Sequence, residues 1–406
     1  MAAMKYFVPA LAVAGRAAAQ CSVAATSTIQ NAGDASALAS CSTFSGSIAI
    51  ATGTTGEIAI DGVQEITGSL SATNVEELTG ITGDSLETIG GTFNLDTVQI
   101  LSTLNFPRLT DVRAIEWNAL AGLQGLVFTS GIQMASTLSI QNTQLNTLDG
   151  INLQTAETVY IANNDYLNDI TMQIGNVSDS LVLTSNGRNV SANFPNLIWG
   201  NVMTFRNCST VSVPSLASTN GSLGFYSNFF QSLVAPNLTM VGGDLSFANN
   251  DDMTNITMPQ LQTVTGGLQI ANNTELNAIG FSSLETVGGA VSFVGSYETV
   301  SLPELSNVRG AFRLASTSDI SSACTKFRAM HGNSGVIRGN FVCRSGSGSS
   351  GTSTSNGDDS SDGGSSSSSS SGSSSSSTDG TSGASTVYVS GATALMGVVA
   401  AIFGML

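Results

Sequence analysis

Asp251 and Asp252, side by side in the segment ANNDDMT, are carboxyls within a repeated part of the chain and the first candidates for acid–base chemistry. Glycoside hydrolysis needs such a pair, one carboxyl protonated towards the leaving oxygen and the other ionised. Their place at an asparagine-rich corner favours solvated acids instead. A polysaccharide-active β-helix hydrolase or lyase is the competing reading, but a pectinase-like set would also need a histidine. The single one, His331, lies outside the repeats. With one histidine and no G-x-S-x-G, the abundant serines form no nucleophilic triad. The glycine pairs precede no helical pattern, so they are not expected to cradle phosphate. Asp358, Asp359 and Asp362, in a serine-rich tract, would bind cations weakly at most. The expectation is of no catalytic residues, no metal and no cofactor.

Five cysteines leave one over. In an oxidising compartment the expected pairs are Cys21 with Cys41 and Cys324 with Cys343, each closing a loop of about 20 residues worth about 3 kcal/mol. Sequence alone does not prove that connectivity. Neither pair has the CxxC spacing of a zinc or redox site. Cys208, in FRNCST, reads as an inert buried thiol. Seven N-x-S/T sequons, at Asn176, Asn189, Asn207, Asn220, Asn237, Asn255 and Asn272, crowd into one stretch and predict exposed, glycosylated asparagines. The small basic cluster of Lys326, Arg328 and Arg338 around His331 reads as a solvated cap surface, with contact to anionic wall or lipid groups as the alternative.

The elements that must position these residues are repeats. Segments 220–241, 242–265, 266–287 and 288–308 each read roughly G-x-L-x-[FI]-x-x-N-x-x-[LM]-x-x-[IV]-x-x-P-x-L-x-x-V. Their period of 21 to 24 residues belongs to leucine-rich-repeat or β-helix solenoids. In GGLQIANNTELNAIGFSSLETV (266–287), Leu268 and Ile270 alternate with polar residues as a strand does. Asn272 and Asn273 end that strand at a corner that tolerates left-handed angles. Leu276 and Ile279 start a second side, Leu284 and Val287 a third, and Gly288-Gly289 is read as a sharp turn into the next coil. Weaker copies reach upstream, giving one continuous solenoid over 41–323 with cystine-bearing ends. The expected class is mainly β, a right-handed leucine-rich-repeat or β-helix-like solenoid. Trp117 and Trp199 fall at positions usually held by leucine and are read as core or edge packing, with carbohydrate stacking as the alternative.

Charge limits the partners. With 12 Lys and Arg against 28 Asp and Glu, the net charge is -16, which argues against nucleic acid. At the start, Lys5, an apolar run and Ala17-Ala18-Ala19 read as a signal peptide over 1–19, so the chain is expected to be extracellular. Residues 20–344 form the expected solenoid domain, and 345–383 a Ser/Gly-rich stalk with too little apolar surface to order itself. The tail 384–406 ends in ALMGVVAAIFGML, too short for a comfortable span, and reads as a GPI-attachment signal. Gly383 is the favoured attachment residue, with Gly380, Ser382 and Ala384 as neighbours.

The Cys21 start, the segments CSTFSGSIAIATGTTGEIAIDGVQEITGSL (41–70) and NFPNLIWGNVMTFRNCSTVSVPSL (193–216), the GG-x-L-x-x-x-NN coils and the Ser-rich tail together resemble the fungal GPI-anchored cell-wall organisation proteins. That resemblance covers nearly the whole chain. It implies a receptor L-domain-like ectodomain, with a plasma-membrane and cell-wall glycoprotein that supports wall integrity as a structural or binding module. It supplies no catalytic residues to transfer. The implied partners are the membrane, through a GPI lipid, and cell-wall glucan, with a monomeric ectodomain.

Overall fold

A computed structural model describes residues 21–332 and 335–346. The expected leader, the stalk from 347 onwards, and the attachment signal with Gly383 lie outside the described residues. Within them each sequence copy is one coil of a parallel β-solenoid of about 13 turns. A chain that returns to the same side after every coil lays its strands in one direction, so the pairing is parallel throughout. Leu245, Leu268, Val291 and Phe312 stand in one register, and Phe247, Ile270, Phe293 and Leu314 in another. Both rows are buried, whereas Gln269 between them faces out.

Short strands such as Asn255–Thr257 and Ala278–Gly280 build the second side in small parallel sheets of their own. Leu238, Leu261, Leu284 and Leu305 fill the interior at the last corner. Each such leucine contributes about 2 kcal/mol through burial. The three rings of Phe205, Phe225 and Phe247 stack nearly parallel down the axis, with centroids 5.4 and 5.0 Å apart. Stacked pairs of this kind add about 1 kcal/mol beyond their burial.

The glycine pairs do a different job from the turn expected of them. Neither Gly288 nor Gly289 has a left-handed φ. A Cβ on Gly288 would collide with the Thr265 carbonyl oxygen one coil below, and one on Gly242 with the Asn220 carbonyl oxygen. The absent side chains let successive backbones close up where the long sheet bends.

The disulfide-bearing ends are themselves rungs. Ser22–Ile29 pairs with Thr43–Ile50, and Phe341–Arg344 pairs with Phe312–Ser316, so the ladder runs beyond 41–323 at both ends. Cys21 is joined to Cys41 and Cys324 to Cys343, with Cα atoms 5.5 and 5.6 Å apart. At the first end the Asn31 side chain caps the helix Ala32–Ala37 by accepting from the Gly33 and Asp34 amides. At the other, the helix Ser321–Ala329 turns Cys324 and Phe327 inward, and the Phe327 ring lies 4.8 Å from that of Phe312. These covers shield the apolar interior that the terminal coils would otherwise expose.

Candidate functional site

The asparagine corner is the most repeated polar feature of the molecule. From Asn74 to Asn272, ten coils in succession end their long strand with one non-glycine residue in the left-handed region, at φ of 53° to 58°. Asparagine bears that conformation better than most residues, because its short amide bonds locally. The following residue turns inward and is buried. Asn164, Asn186, Asn228, Asn250 and Asn273 stand in this second row and hand hydrogen bonds up the solenoid. Asn228 Nδ2 donates to Asn250 Oδ1 at 2.9 Å, and Asn250 Nδ2 to Asn273 Oδ1 at 3.0 Å. The same oxygens also accept from the Asn228 and Asn250 backbone amides.

Cys208 occupies the rung between Asn186 and Asn228. Its amide donates to Asn228 Oδ1 at 3.0 Å, while its thiol faces the Arg206 carbonyl at 3.6 Å. The thiol is free and fully buried, and burial pushes its pKa from 9.0 up to about 12. Tyr297 ends the row, donating its hydroxyl to the Ile270 carbonyl at 2.9 Å, and burial raises its pKa as well.

Asp251 and Asp252 sit just past the left-handed Asn249, both exposed, and Asp251 Oδ1 accepts from Thr274 Oγ1 at 2.9 Å. Glu76 and Glu77 follow Asn74 in the same way. The paired acids are therefore a feature of the corner, with no enclosure around them. Trp117 is core, edge-on to Phe93 at 5.6 Å. Trp199 is not. It is half-buried at the start of Trp199–Arg206, because that strand turns Gly200 and Met203 inward and leaves the indole facing out beside Asn176. His331 is half-buried against the Phe341 ring, 6.0 Å between centroids.

No sequon asparagine is buried. Asn189, Asn220, Asn237, Asn255 and Asn272 are exposed, and Asn176 and Asn207 are half-buried. They occupy different corners. Asn207 and Asn272 are left-handed corner residues, Asn176 and Asn255 open strands on two different sides, and Asn220 follows the short strand Ser218–Thr219 at the bend of the long sheet. Coils upstream of Asn176 carry none.

Sequence reasoning missed a groove on the outer face of the long sheet. It has a volume of about 390 Å³ and crosses the rungs between Thr88 and Ser178, lined by Asp111, Arg113, Met134, Ser136, Glu157 and Asn176 among others. Register shifts gather there, between Ile89 and Thr92, Ile132 and Met134, Ala156 and Thr158, and Val177 and Ser180. Extra residues at the bend open the trough. The only signal in the sequence is that these upstream copies fit the repeat poorly. Among the described residues no three of His, Cys, Asp and Glu gather as a metal-binding group.

A family model described as Ecm33, GPI-anchored cell wall organization protein, matches residues 1–39. Protein ecm33 of Aspergillus fumigatus is 43% identical over 367 residues, 88% of this chain and 91% of that one. This chain belongs to the Ecm33 family. A cell surface GPI-anchored protein of Arthroderma benhamiae is 39% identical, over 85% of this chain and 88% of its own. The cell wall protein ecm33 of Schizosaccharomyces pombe is 34% identical, over 76% and 73%. No solved structure matches. For the Ecm33 family, then, the corner ladder, the disulfide-bearing ends and the upstream groove are seen here in one chain.

Proposed function

We propose that this Ecm33-family chain is an extracellular, GPI-anchored glycoprotein that supports cell-wall organisation as a structural and glycan-contacting module. Support comes from relatives at 39% and 34% identity, named a cell surface GPI-anchored protein and a cell wall protein, and from the family description as a GPI-anchored cell wall organization protein. The leader at 1–19, the stalk over 345–383 and attachment at Gly383 belong to this proposal, as do the seven sequons and a monomeric, L-domain-like ectodomain. The observation that carries the mode of action is the groove. It is open, lined by hydrogen-bonding side chains beside Met134, and lies in coils whose one sequon asparagine, Asn176, is itself a lining residue. Such a surface suits a neutral polysaccharide strand, of which wall glucan is the nearest candidate. Catalysis is not part of the reading, because Asp251 and Asp252 project from an open corner.

The test is release of the native protein from intact cells by phosphatidylinositol-specific phospholipase C, beside β-glucanase digestion of washed walls. Release by the lipase supports the anchor, and release by glucanase alone indicates a covalent wall component. Failure of both overturns the tether. Replacing Asp111 and Glu157 together with Asn and Gln should weaken retention on glucan, whereas Asp251→Asn with Asp252→Asn should leave it unchanged.

A further inference from the structure

The cations of this acidic chain are gathered at one end. Residues 21–308 hold 23 Asp and Glu against four Arg, a net of -19, whereas residues 309–346 hold six Lys and Arg against Asp319, a net of +5. All six, Arg309, Arg313, Lys326, Arg328, Arg338 and Arg344, are exposed. Among the described residues the one ion pair is Arg108 with Glu87, far from this end in sequence, so none of the six forms an ion pair with a described carboxylate.

The fold brings them together. Ile337 bridges Val308 in parallel and the Arg338 amide donates to the Val308 carbonyl at 3.0 Å, so Arg338 stands one rung from Arg309. Arg313 lies one rung from Val342, and Arg344 one rung from Ala315. Neighbouring rungs are about 4.8 Å apart. Lys326 and Arg328 add charge from the covering helix. Like charges side by side repel, and an acidic chain has many carboxylates that evolution could have placed between them. Val342, 41% exposed, stands opposite Arg313 and two residues before Arg344, an apolar tip beside cations.

We propose that this end of the solenoid docks on phosphate-bearing lipid headgroups of the membrane that holds the anchor. This rests on the anchor reading, since the chain leaves the described domain at Gly346, beside the basic rungs, on its way to the proposed attachment signal. An inositol-phospholipid anchor itself brings phosphodiesters to that surface. The acidic body is repelled by the same charges that attract the end, so contact is confined to the last rungs. Each Lys or Arg near such a surface strengthens binding about fivefold, and salt screens it.

The test uses the mature full-length chain freed from cells, mixed with phosphatidylcholine vesicles with or without phosphatidylinositol and sedimented. Binding is expected only with phosphatidylinositol, to fall with added salt, and to drop by more than tenfold in Arg309→Ser with Arg338→Ser. The charge-matched Arg108→Ser with Arg188→Ser should bind as the native chain does. If the first variant fails to fold in a thermal melt, Lys326→Ser with Arg328→Ser reads the same surface. Absence of binding at low salt, or equal binding by both charge variants, overturns the proposal. So does binding to polyphosphate but not to vesicles, which would make the end a site for soluble polyanions. If the lipase does not free the chain, the anchor reading fails separately, and glucanase-released protein enters the same assay.

Discussion

At the scale of the residue, the buried asparagines are the polar groups on which most depends. Asn250→Ala would leave the Asn228 side chain and amide without their shared acceptor, and would remove the Nδ2 donor to the Asn273 oxygen and the Phe225 carbonyl, the backbone amide at 250 still reaching Asn273. Unsatisfied buried groups of this kind cost about 1 to 3 kcal/mol each. Denaturant unfolding of Asn250→Ala should therefore show a loss of about 3 kcal/mol, against little change for the exposed Asn249→Gly. Cys208 gives a pH signature. Its thiol stays protonated in the folded chain up to about 12, while the unfolded thiol ionises from 9.0. Below the unfolded value it has no effect. Above it the unfolded state releases a proton that the folded state keeps, so stability falls with rising pH, by about 1.4 kcal/mol per unit. Cys208→Asn should remove that slope and extend the ladder between Asn186 and Asn228. The left-handed corner was legible in the sequence, since Asn272 and its equivalents suit that conformation. The second row was not, because nothing in the dipeptide Asn272-Asn273 says which amide turns inward until neighbouring coils supply its partners.

At the scale of the element, the glycines show why a turn signal misleads. Gly and a bend coincide at 288–289, but the constraint comes from the coil below, a contact about 20 residues away in sequence that local rules do not register. Gly288→Ala should destabilise the chain by about 2 kcal/mol or more through that collision. Gly280→Ala, with nothing near its missing Cβ, should be neutral or slightly stabilising in the same thermal melts. The period, the apolar alternation and the coil sides were readable because they depend on local chemistry. Which tryptophan is core and which is edge was not, since the half-buried Trp199 and the buried Trp117 occupy similar strings of residues. The groove escaped too, because a bulge appears in sequence only as an imperfect repeat. Among the covering elements, replacing Cys324 and Cys343 with Ser should cost about 3 kcal/mol. Hydrogen exchange should then rise first in Phe341–Arg344, whose one strand partner is Phe312–Ser316.

At the scale of the whole molecule, stability is a sum along one axis, because each coil touches little besides its neighbours. About 13 turns, spaced about 4.8 Å apart, give the described domain a length of about 60 Å, which small-angle scattering of deglycosylated protein should return. A more compact particle would contradict the solenoid. The asparagine row has a further meaning here. Asn250 lies 23 residues before Asn273 and is held by the same oxygen geometry that Asn250 itself offers to Asn228. Excising residues 243–265 would bring Asn228 opposite Asn273 and Phe225 opposite Ile270, with every interface refilled by its own kind. The coil is thus a detachable brick. A lineage can lengthen or shorten the molecule by whole courses, setting how far its outer end stands from its root, without redesigning a single joint.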